Sequence, residues 1–301
     1  MKILVVIVTH NRLKELKRCI AYVNKQTLNK KELLVIDNNS TDDTQNFLKK
    51  NNIPSIHSDK NIGSAGGWNL GINYALENSY DFIWVMDDDG YPHQEALENL
   101  YSCFVKSDNI ACISSLVVDQ NNTEKLAIPL PILKKNKLPI IFKTRRKIYF
   151  INDKKLKENN FYEYANFFNG ALIKIEYIRK VGNINTSFFL YGEEVDYFFR
   201  LREVGKVLTY NNAIHYHPSI NKPWTLIKIY FYIKNSIYLN YKYFDYPFVR
   251  SILNIFVIFL RVLKNNGIVF FIKLFILQNF KILIKAIYRG FNKKIGNDYD
   301  K

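Results

Sequence analysis

Asp81-Phe82-Ile83-Trp84-Val85-Met86-Asp87-Asp88-Asp89 sets an apolar, β-branched and aromatic run directly against three carboxylates. The run reads as a short buried strand. The carboxylates then stand at its C-terminal end, where open α/β sheets bind ligands. Three adjacent acids repel one another unless a cation sits among them. Hard divalent ions take oxygen ligands and keep positions open for phosphate oxygens. The plainer reading is a solvated acidic turn, because Asp89-Gly90 is a common turn dipeptide.

Outward from this stretch, strands alternate with helices. Residues 3–8 form a continuous β-branched run, and 12–25 carry helical spacing through Leu13, Leu16, Ile20 and Val23. A second strand covers 32–36, Ser40 or Thr41 caps a helix to residue 50, and 53–57 is a third strand. A helix over 65–78 leads to the fourth strand at 81–86, Pro92 opens a helix to about residue 106, and 110–118 is a fifth strand. This alternation predicts an α/β fold with a mostly parallel sheet flanked by helices.

Residues 119–160 break the pattern: they are largely polar, with a basic cluster at 143–147, and read as a loop or excursion over the sheet. Beyond 161–170, helices are expected at 175–181 and 193–203, with short strands at 206–210 and 213–216. From Trp224 the chain turns aromatic, aliphatic and basic without strand signals, so we divide it into domains at 1–221 and 222–301. No internal repeat suggests a solenoid.

A chain of 301 residues, 48% of them hydrophobic, can bury a sizeable core. Cys19, Cys103 and Cys112 show no metal-like spacing and read as reduced thiols of a cytosolic protein. The first strand begins near Lys2, with no stretch of secretory-signal character before it. The formal charge of +16 calls for an anionic partner. Its distribution says more than its total: residues 222–301 hold 14 Lys or Arg against 3 Asp. That excess lies beside long aliphatic runs rather than an aromatic-studded groove, so nucleic acid is not the expected partner.

Other strand ends also carry polar groups. Asp37-Asn38-Asn39-Ser40 presents a carboxylate able to accept from a base N–H or a ribose hydroxyl, or else a helix-capping Asx turn. Thr9-His10-Asn11-Arg12 ends the first strand in the same layer, and Arg12 can meet phosphate. Asn61-Ile-Gly-Ser-Ala-Gly-Gly-Trp-Asn69 leads into a helix; its glycines either let backbone approach an anion or pack the helix on the sheet. It is not a Walker-type phosphate loop.

Tyr191-Gly-Glu-Glu-Val-Asp-Tyr-Phe-Phe-Arg200 places Glu193, Glu194 and Asp196 at a helix start. There they suit the helix dipole, and a buried one can have a raised pKa and act as general base. Asp196 and Arg200 also have ion-pair spacing. His215-Tyr-His217-Pro218 offers an imidazole to the Asp cluster or a structural histidine.

Taken in order, these motifs resemble the family 2 glycosyltransferases, inverting enzymes with the nucleotide-sugar-binding GT-A fold. The resemblance runs from residue 3 to about His217. It implies that Thr9, Arg12, Asp37, Asn61, Gly67, Asn69 and Asp88 contact the nucleotide-sugar. Asp87 and Asp89 would hold Mn²⁺ or Mg²⁺ against the diphosphate, with His215 (or His217) as a further ligand. Glu194 falls at the family's catalytic base, with Glu193 and Asp196 as neighbouring alternatives.

Gly66-Gly67-Trp68-Asn69 and the triple Asp are similar to bacterial galactofuranosyltransferases, which implies UDP-galactofuranose as donor. Rhamnosyltransferases using dTDP-rhamnose share most of the other motifs, and another UDP-hexose fits as well. The implied acceptor is a lipid-linked surface-polysaccharide intermediate. A catalytically silent glycan- or nucleotide-binding member of the fold is the competing reading.

In the tail, 251–260 is apolar but short, and 267–280 carries Lys273 in its middle. Neither reaches the roughly twenty apolar residues of a span. Both are expected to be interfacial helices on an anionic membrane surface, which places the protein in the cytoplasm, peripheral on the inner face of the plasma membrane.

Overall fold

The computed structural model describes residues 1–106, 109–143, 145–219 and 223–299. The chain forms two compact units: Met1–Ile184 with Tyr197–Ile220, and Asn185–Asp196 with Asn221–Lys301.

The first unit opens with β1 (Ile3–Thr9), α1 (Leu13–Asn24), β2 (Lys31–Asp37), α2 (Thr44–Lys50) and β3 (Ser55–His57). Then come α3 (Gly63–Glu77), β4 (Phe82–Asp87), β5 (Tyr91–Pro92), α4 (Ala96–Lys106) and β6 (Ile110–Asp119). A ribbon of β7 (Asn122–Pro131) and β8 (Lys147–Phe150) follows, then α5 (Lys154–Lys157) and β9 (Phe161–Tyr162). The unit closes with β10 (Asn169–Lys174), α6 (Ile175–Val181), α7 (Glu193–Val204) and β11 (Lys206–His217), although the first four residues of α7 belong to the second unit.

The sheet order is β3-β2-β1-β4-β10-β6-β11-β5. β1 pairs in parallel with β2 and β4, in a register that sets Thr9 opposite Asp37 and Val8 opposite Asp87. The polar ends of three strands therefore share one edge. β1 is buried along its whole length, as an apolar strand covered on both faces should be. β10 inserts antiparallel between β4 and β6, so the sheet is mixed beyond its first four strands.

Three local expectations change. The 119–160 excursion contains β7 and β8, paired Leu130 to Ile148; Pro129 and Pro131 hide the first from a strand reading because proline removes a ladder donor. Pro92 lies in β5, paired with His215, and α4 starts only at Ala96. The two short strands after α7 are one, with a register shift between Tyr210 and Ile214.

The second unit contains a short 3₁₀ turn (Thr186–Phe188), α8 (Leu226–Tyr243), α9 (Pro247–Lys273) and α10 (Leu277–Phe291). Thr225 caps α8 by accepting from the Lys228 N–H. Ile229, Phe231, Ile233, Ile258, Val262 and Leu283 are among its core residues. Lys234, fully buried, donates to Asp298 Oδ1 and the Gly296 carbonyl, both at 2.6 Å. Lys234 thus holds these late residues onto α8.

Gly267, at φ 80°, interrupts α9, so its regular run ends one residue earlier and the apolar tail divides differently from the two runs read in the sequence. By length and composition α9 could cross a membrane, and little of its apolar stretch is buried. Phe256, Leu260, Ile272, Leu277 and Ile284 are exposed along α9 and α10.

Candidate active site

The loops after β1 and β2 lock together. Asn11 and Asn39 take left-handed backbone conformations, which asparagine tolerates. The Asn11 N–H donates to Ser40 Oγ at 2.9 Å, and Asn11 Oδ1 accepts from the Thr41 N–H at 2.6 Å. Asp37 is buried and accepts from the Ser40 N–H at 2.9 Å and from His57 Nδ1 at 3.0 Å. His10 Nδ1 meets the Asn38 carbonyl at 2.8 Å, so that nitrogen carries the proton and Nε2 is left to accept from Asn61 at 3.3 Å. Asn61 Oδ1 accepts from the Gly63 N–H and from Asn38 Nδ2.

The acid cluster has its own protein cation. Arg12 Nη1 lies 3.0 Å from both Asp88 Oδ1 and Asp89 Oδ2. Thr9 Oγ1 donates to Asp88 Oδ2 at 2.7 Å. Asp88 is 2% exposed, and burial pushes its carboxyl up to about 6 against the pull of Arg12 and Thr9. It therefore positions Thr9 and Arg12. Arg18 stacks over Tyr91 and donates to the Asp89 carbonyl at 2.7 Å.

His217 Nε2 lies 3.2 Å from Asp89 Oδ1. His215 is fully buried, both ring nitrogens lack a hydrogen-bond partner, and burial lowers its pKa to about 3, so it is neutral. A Cβ on Gly90 would lie 2.3 Å from His215 Nε2, which only glycine permits. His217 is thus the imidazole that reaches the Asp cluster.

Gly67 and Asn69 sit inside α3, past its first turn. A Cβ on Gly67 would lie 2.7 Å from Val8 Cγ1, and one on Gly71 2.5 Å from Val6 Cγ1, so these glycines let α3 pack on β1. Asn69 donates to the Ile184 carbonyl at 3.1 Å. Trp68 is core, stacked on Phe168.

In the second unit, Asn235 Nδ2 donates to the carbonyls of Phe188, Leu190 and Tyr191 at 3.1, 3.0 and 2.7 Å, fixing the approach to α7. Gly192 takes φ +104° beneath Leu239 and Phe188. Glu194 accepts from the Gly192 N–H at 2.8 Å, and burial raises its carboxyl above the ordinary range. Asp196 is 1% exposed and its Oδ1 accepts from Lys242 Nζ at 2.7 Å and Tyr243 OH at 2.6 Å. Asp196 is tied to α8 by its ion pair with Lys242. Within the first unit, Arg200 caps α6 through the carbonyls of Val181 and Asn183.

The model of the family described as "Glycosyl transferase family 2" matches residues 4–176, more than half of the chain. The chain belongs to glycosyl transferase family 2. Galactofuranosyltransferase GlfT1 of Mycolicibacterium smegmatis is 29% identical over 217 residues, covering 71% of this chain and 70% of the relative. The dTDP-rhamnosyl transferase RfbF of Shigella flexneri is 26% identical over 222 residues, or 71% and 66% of the two chains. The fold matches S. aureus TarS 1-349 with a TM-score of 0.58 at 13% identity, over 97% of this chain and 81% of that one. It also matches the mannosyltransferase PcManGT of Pyrobaculum calidifontis, solved with GDP-Man and Mn²⁺, with a TM-score of 0.54 at 13% identity, over 96% and 73%. The fold of this family 2 glycosyltransferase is GT-A.

Among the described residues, no three His, Cys, Asp or Glu side chains converge at metal-ligand spacing. The donor set nonetheless suits a hard divalent ion: Asp89 and His217 are already adjacent, and a buried neutral imidazole without a partner, His215, lies beside them. One or two carboxylates completed by substrate phosphate oxygens is how Mg²⁺ is commonly held. Sequence reasoning left Asn38, His57 and Arg18 without roles. The Asp-Asn dipeptide at a strand end was a signal for the first, whereas neither Arg18 nor His57 gave any local cue.

Proposed function

We propose that this family 2 glycosyltransferase moves a sugar from a nucleotide-sugar to an acceptor hydroxyl with inversion at the anomeric carbon. UDP-galactofuranose is the favoured donor; dTDP-rhamnose or another UDP-hexose is the alternative. The observation that carries this reading is the meeting of Arg12, Asp89 and His217 at the strand edge that also holds Thr9 and Asp37. The similarity to GlfT1 over 71% of the chain and the Gly66-Gly67-Trp68-Asn69 stretch favour the galactofuranosyl donor.

Asp37, through its ordered loop, and Asn61 flank the place for the nucleoside. Arg12 faces the diphosphate: a guanidinium has five N–H donors, and its two ion pairs here use only Nη1. Asp89, Asp87 and His217, with His215 behind, would hold Mn²⁺ or Mg²⁺, which when bound offsets charge developing on the leaving diphosphate. Glu194 takes the proton from the acceptor hydroxyl, whose oxygen attacks opposite the nucleotide. Its raised pKa suits that task.

The acceptor is read as a lipid-linked glycan, with residues 222–301 as the membrane-surface domain of a cytoplasmic, peripheral protein. Exposed apolar side chains on α9 and α10, interspersed with Arg261, Lys264, Lys273 and Lys281, support attachment to an anionic membrane surface.

Thermal-shift titration with UDP-, dTDP- and GDP-sugars, with Mn²⁺ or EDTA, followed by turnover of the best binder, tests the transfer. Stabilisation by UDP-galactofuranose that vanishes in EDTA is expected; equal activity in EDTA would overturn the metal's role. For the tail, flotation of the full chain with anionic vesicles should succeed at low salt and fade as screening rises. Indifference to anionic vesicles at low salt would make the tail structural only.

A further inference from the structure

Residues 134–157 carry ten Lys or Arg and a single acid, Asp153. In the structure a cavity of about 570 Å³ lies against the connection between β7 and β8 and Lys155 of α5. Ile132, Leu133, Ile140 and Phe142 supply its apolar wall, and Lys134, Lys143, Arg145 and Lys155 also line it. The wall is fixed. The Ile132 N–H bonds the Arg146 carbonyl at 2.9 Å, and the Ile140 N–H bonds Ile132 O at 2.8 Å. Ile132 itself packs with Leu130, Ile148 and Leu156.

The segment's one acid is already committed, since Asp153 pairs with Arg145 and accepts from the Lys155 N–H. Phe142 stays 65% exposed at the same cavity. Cations beside an apolar hollow make it complementary to a ligand that is anionic at one end and greasy at the other. The volume is that of an ordinary small-molecule site.

We propose that this cavity binds a phosphate or diphosphate ester of a long apolar chain, with the phosphate on the lysines and the chain along Phe142 and Leu133. That the ester is the carrier of the sugar acceptor rests on the reading in the preceding subsection; the binding chemistry does not.

The test titrates the full chain, in EDTA so that the Asp cluster binds no metal, with farnesyl diphosphate, pyrophosphate and farnesol by calorimetry. Farnesyl diphosphate should bind at least about tenfold more tightly than either fragment, because charge and chain both contribute. The Lys134→Ala/Lys143→Ala/Lys155→Ala variant should lose at least about tenfold, with Mn²⁺-dependent UDP stabilisation unchanged. Phe142→Ser, at an exposed position, gives a second reading if the triple variant does not fold. Dihexanoyl phosphatidic acid separates a phospholipid headgroup from an isoprenoid carrier, and binding of either through these lysines upholds the site. Pyrophosphate or farnesol binding as tightly as farnesyl diphosphate, or variants binding like the unsubstituted protein, would overturn it. Farnesyl diphosphate binding without any sugar-nucleotide turnover would keep this site and remove the transferase reading.

Discussion

At the end of β4, Asp88 is held by Thr9 and Arg12, which precede it by 79 and 76 residues. At the start of α7, Asp196 is held by Lys242 and Tyr243, which follow it by 46 and 47. Each acidic cluster thus contains a deeply buried carboxylate held by partners distant in sequence. On the proposed function, adjacent acids that look equivalent in sequence divide into a positioning group and a working group. Asp88 and Asp196 are 2% and 1% exposed, whereas Asp89 and Glu194 are more open.

That division can be broken first at the base. Glu194→Gln should cut kcat by roughly two to four orders of magnitude while donor affinity holds, the range for general-base catalysis. If Glu194→Gln is active and Glu193→Gln is dead, the roles are shifted by one residue. Because burial raises the Glu194 carboxyl, and a base works only deprotonated, the acid limb of kcat/KM should lie above the ordinary glutamate value of about 4.3. That limb should disappear in Glu194→Gln.

Asp89→Asn should lower kcat by roughly two to three orders of magnitude and abolish Mn²⁺-dependent UDP stabilisation, since a neutral amide balances little charge. Asp88→Asn should do less, about 10–100-fold, because it acts through Arg12 and Thr9. Equal losses at 88 and 89 would erase the distinction between them. The smallest effect is expected at Asn235→Ala, which frees three carbonyls before α7. It should cost about 1–3 kcal/mol in denaturant unfolding, with nucleotide affinity intact.

The strand-and-helix half of the fold was legible because each site segment directly follows an apolar run, and parallel pairing brings those run ends to one edge. The pairing of Arg12 with Asp88 and Asp89 was not, since no local pattern records a partner 76 residues away. Nor could alternation choose between His215 and His217, which lie on one face of β11 and differ only in depth. Gly66, Gly67 and Gly71 gave an ambiguous signal, and close packing on β1 fills all the space their missing side chains leave on that face of α3 at 67 and 71.

The insertion of β10 between β4 and β6 has a consequence for synthesis. During synthesis β4 can pair with β1 as soon as both are made, but its other edge waits for residues 169–174. At about 5–20 residues per second that wait lasts roughly 4–17 s. Throughout it, Ile83, Trp84 and Val85 offer an open, fully apolar strand edge to any neighbouring chain. Fragments that stop between β6 and β10 should aggregate where the longer chain does not, and slower translation should lower the yield of folded protein.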